Sequence, residues 1–221
     1  MTTQVSKGYK GMAMEGMIAT WYARITQNDV ADRADVIRTI RQNVPDGGSV
    51  LEVAPGPGYL SIELAKTGNF KITGLDISQK FVEIAQEKAR AAGVSVDFRQ
   101  GNASAMSLES DQFDFIVCRA AFKNFSDPVG ALNEMYRVLK PGGIALIIDL
   151  RPDFSPIEVD TYVKTMRLSP VSAFMTKLTF QTTLKKTAHP RQELNAFAAQ
   201  SRFGKCQIQE SSMSYLVWLR K

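Results

Sequence analysis

A few residues near the middle of the chain have the types and spacing that a ligand site needs. The stretch Val50-Leu51-Glu52-Val53-Ala54-Pro55-Gly56-Pro57-Gly58-Tyr59 runs from an apolar segment into a turn with two glycines. Glycines at such a turn let the backbone approach a ligand and take positive φ, although the same pair also suits a tight turn that packs helix on strand. Glu52 is an acid inside the apolar segment, placed to meet a cationic amino group at the turn. Asp76 follows Gly58 by eighteen residues, where a carboxylate can accept both hydroxyls of a ribose. In Gly101-Asn102-Ala103, Asn102 offers a short polar side chain to an adenine amino group. The dinucleotide pattern G-x-G-x-x-G fails at its third position, which is Ser61. The set therefore suits a nucleoside with an amino-acid tail and no phosphate.

These residues need elements to hold them. Apolar runs at 49–54, 70–75, 94–99, 113–118 and 144–150 have the character of buried strands. Helical patterns lie between them at 59–66, 78–92 and 127–139. Alternation of this kind predicts an α/β protein with a mostly parallel sheet covered by helices on both faces. Two further helices are expected at 14–26 and 29–42, and one near 191–200. The strand patterns at 205–210 and 214–220, around Ser211-Ser212, predict an antiparallel hairpin. One domain results, with a helical segment and possible lid at 1–43, a ligand-binding core at 44–150, an insertion without a core of its own at 151–190, and the last helix with the hairpin at 191–221.

A ligand of the description above is S-adenosylmethionine, and the chain from 49 to 150 resembles the class I S-adenosylmethionine-dependent methyltransferases. Besides the turn, the resemblance rests on Phe113-Asp114-Phe115-Ile116-Val117 and on Ala131-Leu132-Asn133-Glu134-Met135-Tyr136-Arg137-Val138-Leu139-Lys140-Pro141-Gly142-Gly143. There is some likeness to the ubiquinone/menaquinone C-methyltransferases around Phe122-Lys123-Asn124-Phe125. The resemblance implies a Rossmann-like fold with a seven-stranded sheet whose last strand is antiparallel. It also implies S-adenosylmethionine as cofactor and S-adenosylhomocysteine as product. Glu52 would bind the methionine amino group, and backbone at Ala54, Gly56 and Gly58 would line methionine and ribose. Asp76 would take the ribose hydroxyls, Ile77 would pack on the adenine, Asn102 and Ala103 would read its amino edge, and Arg119 would border the methionine end. Ala54 stands where the family usually has its first glycine, and Asn102 where an aspartate is commoner.

Methyl transfer from a sulfonium is an in-line displacement, so alignment and exclusion of water matter most. A base, where the acceptor needs one, has to come from outside this core. His189, the only histidine, and Asp149, at the end of the fifth strand, are the candidates. His189 beside Pro190 can equally be structural, and Asp149 can instead pair with Arg151. Tyr9, Met12, Trp21, Tyr22, Phe122 and Arg151 are the candidates for acceptor or lid contacts, and Lys123 is expected to be a solvated charge.

Composition narrows the classes. Residues 1–150 hold 16 basic and 17 acidic side chains, whereas 151–221 hold 11 and 5, so the excess of +6 sits in the last third. That excess invites an RNA methyltransferase as an alternative, but no basic-aromatic interleaving accompanies it. A small-molecule acceptor is the primary expectation, with a non-catalytic S-adenosylmethionine sensor as the alternative of another class. An NAD-dependent reductase is disfavoured by Ser61 and Glu52. Cys118 and Cys206 are too few for a disulfide framework and no metal-binding spacing occurs. No stretch is apolar enough to span a bilayer. The expectation is a cytoplasmic monomer or homodimer that does not insert into membranes.

Overall fold

The computed structural model describes residues 8, 10, 30–166 and 168–221. The helix expected at 14–26 lies outside the described residues, as do Tyr9, Met12, Trp21 and Tyr22. The described elements run in the order α1 (Val30–Asn43), β1 (Ser49–Val53), α2 (Tyr59–Ala65), β2 (Lys71–Asp76), α3 (Gln79–Ala91), β3 (Asp97–Gln100), β4 (Phe113–Arg119), α4 (Pro128–Val138) and β5 (Leu139–Leu150). They continue with α5 (Pro156–Thr165), α6 (Pro170–Thr179), a π turn (Phe180–Leu184), α7 (Lys185–Thr187), α8 (Arg191–Gln200), β6 (Gln207–Ser211) and β7 (Ser214–Arg220).

The strands form one seven-stranded sheet of order β3-β2-β1-β4-β5-β7-β6. The first five are parallel, and β7 runs antiparallel to both β5 and β6. Alternate strand residues serve opposite faces. Leu51, Ile116, Cys118, Ala145, Ile147 and Val217 pack with Leu132 and Met135 of α4 and with Leu194 of α8. On the other face Val50, Phe115, Val117 and Leu146 pack with Ile37 and Ile40 of α1 and with Leu60 and Leu64 of α2. Both faces are thus covered, which is why these strands are almost uninterruptedly apolar.

Two differences from the sequence expectation have physical reasons. Pro141-Gly142-Gly143 does not separate helix from strand, because β5 already starts at Leu139. The chain's last residue ladders that stretch: Gly142 N–H donates to Lys221 O (3.2 Å) and Lys221 N–H to Gly143 O (3.1 Å). The segment 151–190 also has an apolar cluster, Phe154, Val159, Val163 and Phe180, closed by Met213 from the hairpin turn.

The most recognisable sequence series is scaffolding. Asp114 Oδ2 accepts from Ser49 N–H (2.8 Å) and from Lys140 Nζ (2.7 Å), tying the starts of β1, β4 and β5 together. Glu134 accepts from Met106 N–H (2.8 Å) and pairs with Arg137 (2.7 Å). Arg137 in turn donates to Leu108 O (2.7 Å) and Met106 O (3.0 Å), pinning the loop before β4. Asp114→Ala removes charge-assisted hydrogen bonds worth about 2 kcal/mol. A drop of about 4–8 °C in Tm by calorimetry is expected, with a smaller drop for Asp114→Asn, which still accepts from Ser49. An unchanged Tm would contradict this role.

Candidate active site

Parallel strands put their carboxyl ends along one edge, and the sheet order reverses direction at β1, between β2 and β4. Open α/β sheets bind ligands at that crevice. Glu52 and Ala54 at the end of β1, Asp76 at the end of β2, Asn102 just after β3, Arg119 closing β4 and Asp149 near the end of β5 are therefore all delivered to one edge.

Glu52 is 5% exposed. Its Oε2 accepts from Ser61 N–H (3.1 Å) and from Ser61 Oγ–H, in the first turn of α2. Burial pushes its carboxyl from 4.5 up to about 7, against the opposing pull of Ser61 and the Arg119 charge. A buried carboxyl poised in this way gains most from a cation placed beside it. Ser61, which spoils the dinucleotide pattern, is a residue whose role sequence reasoning missed. The signal was there, since a hydroxyl in the first helical turn after a strand can turn back on that strand.

Asp76 is equally buried, at 5% exposed. Its two oxygens accept from Gly56 N–H and Ser78 N–H, both at 2.9 Å, so it braces the glycine turn from below. Ser78 caps α3 by accepting from Phe81 N–H (3.2 Å), which sets Ile77 between two anchored neighbours. At Gly56, φ is +54° and a Cβ would meet nothing within 4 Å, so the turn is open there. Gly58 differs: φ is +78°, and a Cβ would lie 2.6 Å from the Phe98 ring. The first glycine thus faces space, and the second permits close packing of the turn against Phe98 of β3. Ala54 has φ +57°, a left-handed conformation that costs an alanine about 1 kcal/mol, which explains why glycine is the usual residue there.

Asn102 Oδ1 accepts from Ser104 N–H (2.9 Å), shaping the turn that contains Ala103. Gly8 stands at this point: its carbonyl oxygen accepts from Ser126 N–H (3.2 Å), and a Cβ on it would stand 2.8 Å from Asn102 Oδ1. Nothing in the sequence places Gly8 beside Asn102.

On the acceptor side the sequence expectations need correcting at Lys123 and Arg151. Lys123 is buried rather than solvated, 7% exposed. Its Nζ pairs with Asp149 Oδ1 (2.8 Å) and donates to Ala120 O (2.7 Å), while its N–H donates to Asp149 Oδ2 (2.8 Å). Leu150 N–H (2.9 Å) adds a third donor to Asp149. Leaving either charge of such a pair buried alone costs about 3–5 kcal/mol. Arg151 does not pair with Asp149. It binds Glu158 (2.6 Å), Asp153 (3.3 Å) and Ser212 O (2.7 Å), holding α5 to the hairpin.

Phe122 is 1% exposed and meets Phe125, His189 and Phe197 edge-on. His189 Nδ1 lies 2.8 Å from Glu193 Oε2, and its Nε2 is buried with no hydrogen-bond partner. With Nδ1–H donated to Glu193, Nε2 keeps a lone pair directed away from that partner. Among the described residues no group of three or more acidic, histidine or cysteine side chains is arranged to hold a metal.

A sheet of this order, reversing at a buried acid and an open glycine turn, defines the Rossmann-like class I methyltransferase fold. A solved structure from Methanococcus maripaludis superposes with a TM-score of 0.75 at 20% identity, covering 96% of this chain and 97% of the other. An S-adenosylmethionine-dependent methyltransferase from Aquifex aeolicus does so with a TM-score of 0.65 at 18% identity, covering 88% and 92%. In sequence, the demethylmenaquinone methyltransferase of Deinococcus radiodurans is 36% identical over 107 residues, 48% of this chain and 44% of that protein. The chain spans about half the length of the curated relatives it matches. Residues 51–147 match the family described as a methyltransferase domain. Over that core, 51–147, the chain is similar to the methyltransferase-domain family.

The Glu52 carboxyl has a consequence for stability. Its folded pKa of about 7 exceeds the ordinary 4.5, so the folded protein holds a proton that the unfolded chain gives up between those values. Ligand-free stability therefore carries a contribution that is full below about pH 4.5 and lost as pH rises to 7, about 3 kcal/mol in all. Glu52→Gln keeps an acceptor for Ser61 and removes the titration. Denaturant unfolding at pH 5 and pH 8 should show the parent losing this increment and the variant not. Equal losses in both proteins would contradict the assignment.

Proposed function

We propose that this protein transfers the methyl group of S-adenosylmethionine to a small-molecule acceptor of the quinone class. The observation that carries the cofactor half is Glu52, a nearly solvent-free carboxyl raised to about 7 beside an open glycine turn. An α-ammonium group placed against it restores the charge partner that burial removed. Gly56, Gly58 and Ala54 line the methionine and ribose through backbone, and Asp76 accepts the ribose hydroxyls while holding the turn. Ile77, Asn102 and Ala103 receive the adenine, and Arg119 borders the methionine end. The acceptor half is supported by the relatives' names, demethylmenaquinone methyltransferase among them, over the shared half of their length.

When bound, S-adenosylmethionine supplies a sulfonium methyl open to in-line displacement. The chain's own contribution is to hold the acceptor in line and keep water out, which can account for about 7–11 kcal/mol of barrier lowering. Asp149, whose oxygens are taken by three donors, acts as the anchor of the loop after β4. His189 acts as the base toward the quinol form of the acceptor: its Nε2 takes the phenolic proton as the acceptor bonds the methyl and the S–CH3 bond breaks, leaving S-adenosylhomocysteine. The rings of Phe122 and Phe197 pack edge-on against His189 and fix its orientation.

The test combines binding and turnover. S-adenosylmethionine and S-adenosylhomocysteine should each raise Tm, and Asp76→Ala should abolish the rise. Labelled methyl donor should mark a detergent-solubilised demethylated quinone that has been chemically reduced to its quinol, and His189→Ala should lower kcat by about 10²–10⁴-fold while leaving the cofactor-induced Tm rise intact. Stabilisation by NAD alone, or methyl incorporation into RNA but not the quinone, would overturn this function.

A further inference from the structure

Five large apolar side chains stand exposed among the described residues, and all five lie within residues 157–178. Ile157 is 77% exposed, Val171 75%, Phe174 66%, Met175 53% and Leu178 43%. Scattered exposed apolar residues are ordinary, but a contiguous group marks an interaction surface. Four of them recur at i, i+3, i+4 and i+7 along α6, which has no buried residue at all. This helix does not lack an inner side. Ala173 packs against the Phe154 cluster, and Lys177 pairs with Asp160 of α5 at 2.8 Å. The stripe of Val171, Phe174, Met175 and Leu178 is thus the outward face of a helix already docked by its other side.

The chain flanking the stripe is basic in sequence, and the acid that α5 presents to α6, Asp160, is paired with Lys177 (2.8 Å). Residues 161–190 hold five basic side chains, Lys164, Arg167, Lys177, Lys185 and Lys186, and no acidic one. Lys164 and Lys186 are exposed. A helix with an apolar face and a basic surround is the pattern of interfacial segments that lie in the plane of an anionic bilayer. At ten residues α6 is about 15 Å long, half of the roughly 30 Å a span needs, so it can lie on a membrane but not cross it. A second copy of the chain fits less well, because a two-fold contact would bring both basic sets together, and Asp160, the acid beside α6, is already paired with Lys177 of its own chain. RNA would meet the charge but not the apolar stripe.

We propose that α6 is a peripheral membrane-docking surface, seating Val171, Phe174, Met175 and Leu178 at the headgroup boundary of a bilayer containing anionic lipid. This inference does not rest on the transferase reading, since it needs only the exposed stripe and its basic surround. It does place α5 and α6, which follow the end of β5, between a membrane and the edge where the candidate site lies.

The test is co-sedimentation of the full chain with vesicles of phosphatidylcholine alone or with phosphatidylglycerol added. Binding should require phosphatidylglycerol and weaken with salt. Phe174→Ser with Met175→Ser should reduce partitioning about tenfold or more, as should Lys164→Glu with Lys186→Glu, with circular dichroism and Tm unchanged because all four side chains are exposed. Equal sedimentation of parent and variants, or no vesicle binding by the parent, would overturn the proposal. So would light scattering that shows a dimer dissociated by the Phe174 and Met175 changes while vesicle binding persists.

Discussion

Glu52 is an ionisable side chain buried at the point where β1 gives way to α2, and in place of water it has the N–H and hydroxyl of Ser61. The desolvation is only partly offset by these bonds, which is why the carboxyl rises to about 7 instead of staying in the ordinary range. The neighbouring features follow from this placement. The glycine turn has to clear the carboxyl, and Asp76 holds that turn through Gly56 N–H. Ser78 then caps the next helix from the same brace. The Arg119 charge offsets the desolvation only in part, and the proposed cofactor ammonium would supply the rest.

The scaffold and the site divide the motif residues between them. The long series from Phe113 to Gly143 is the chain's most recognisable stretch, yet its acids and bases bind one another and the backbone. Asp114 with Lys140 and Glu134 with Arg137 fix strand starts and the loop before β4. The less conspicuous Glu52, Gly56 and Asp76 sit on the open edge. Motif strength and nearness to chemistry are therefore separate properties in this fold.

All seven strands and the helices between the first five of them were legible in the sequence, because strands buried on both faces must be apolar throughout, whereas α5, α6 and α7 within 151–190 were not. The hairpin was legible from two strand patterns around Ser211-Ser212. Lys123 was not, because a single lysine in a loop carries no sign that Asp149, twenty-six residues on, will close over it. Ser61 was visible only as a departure from another pattern. The cluster under α5 was hidden because Phe154 and Phe180 are far apart in sequence and Met213 arrives from the hairpin. The basic excess after residue 150, +6 in all, also changes meaning. Part of it is spent on carboxylates, as in Arg151 with Glu158 and Arg191 with Glu210, while the stretch 161–190, which contains α6, holds no acid.

The central claim is that the buried Glu52 carboxyl receives the cationic amino group of S-adenosylmethionine. Isothermal titration calorimetry of S-adenosylmethionine binding at pH 6.5, in buffers of different ionisation enthalpy, tests it most directly. A carboxyl at about 7 that ionises on binding should release about 0.8 proton in the parent, and Glu52→Gln should release none from this position and bind more weakly. The same proton count and affinity in parent and variant would contradict the account.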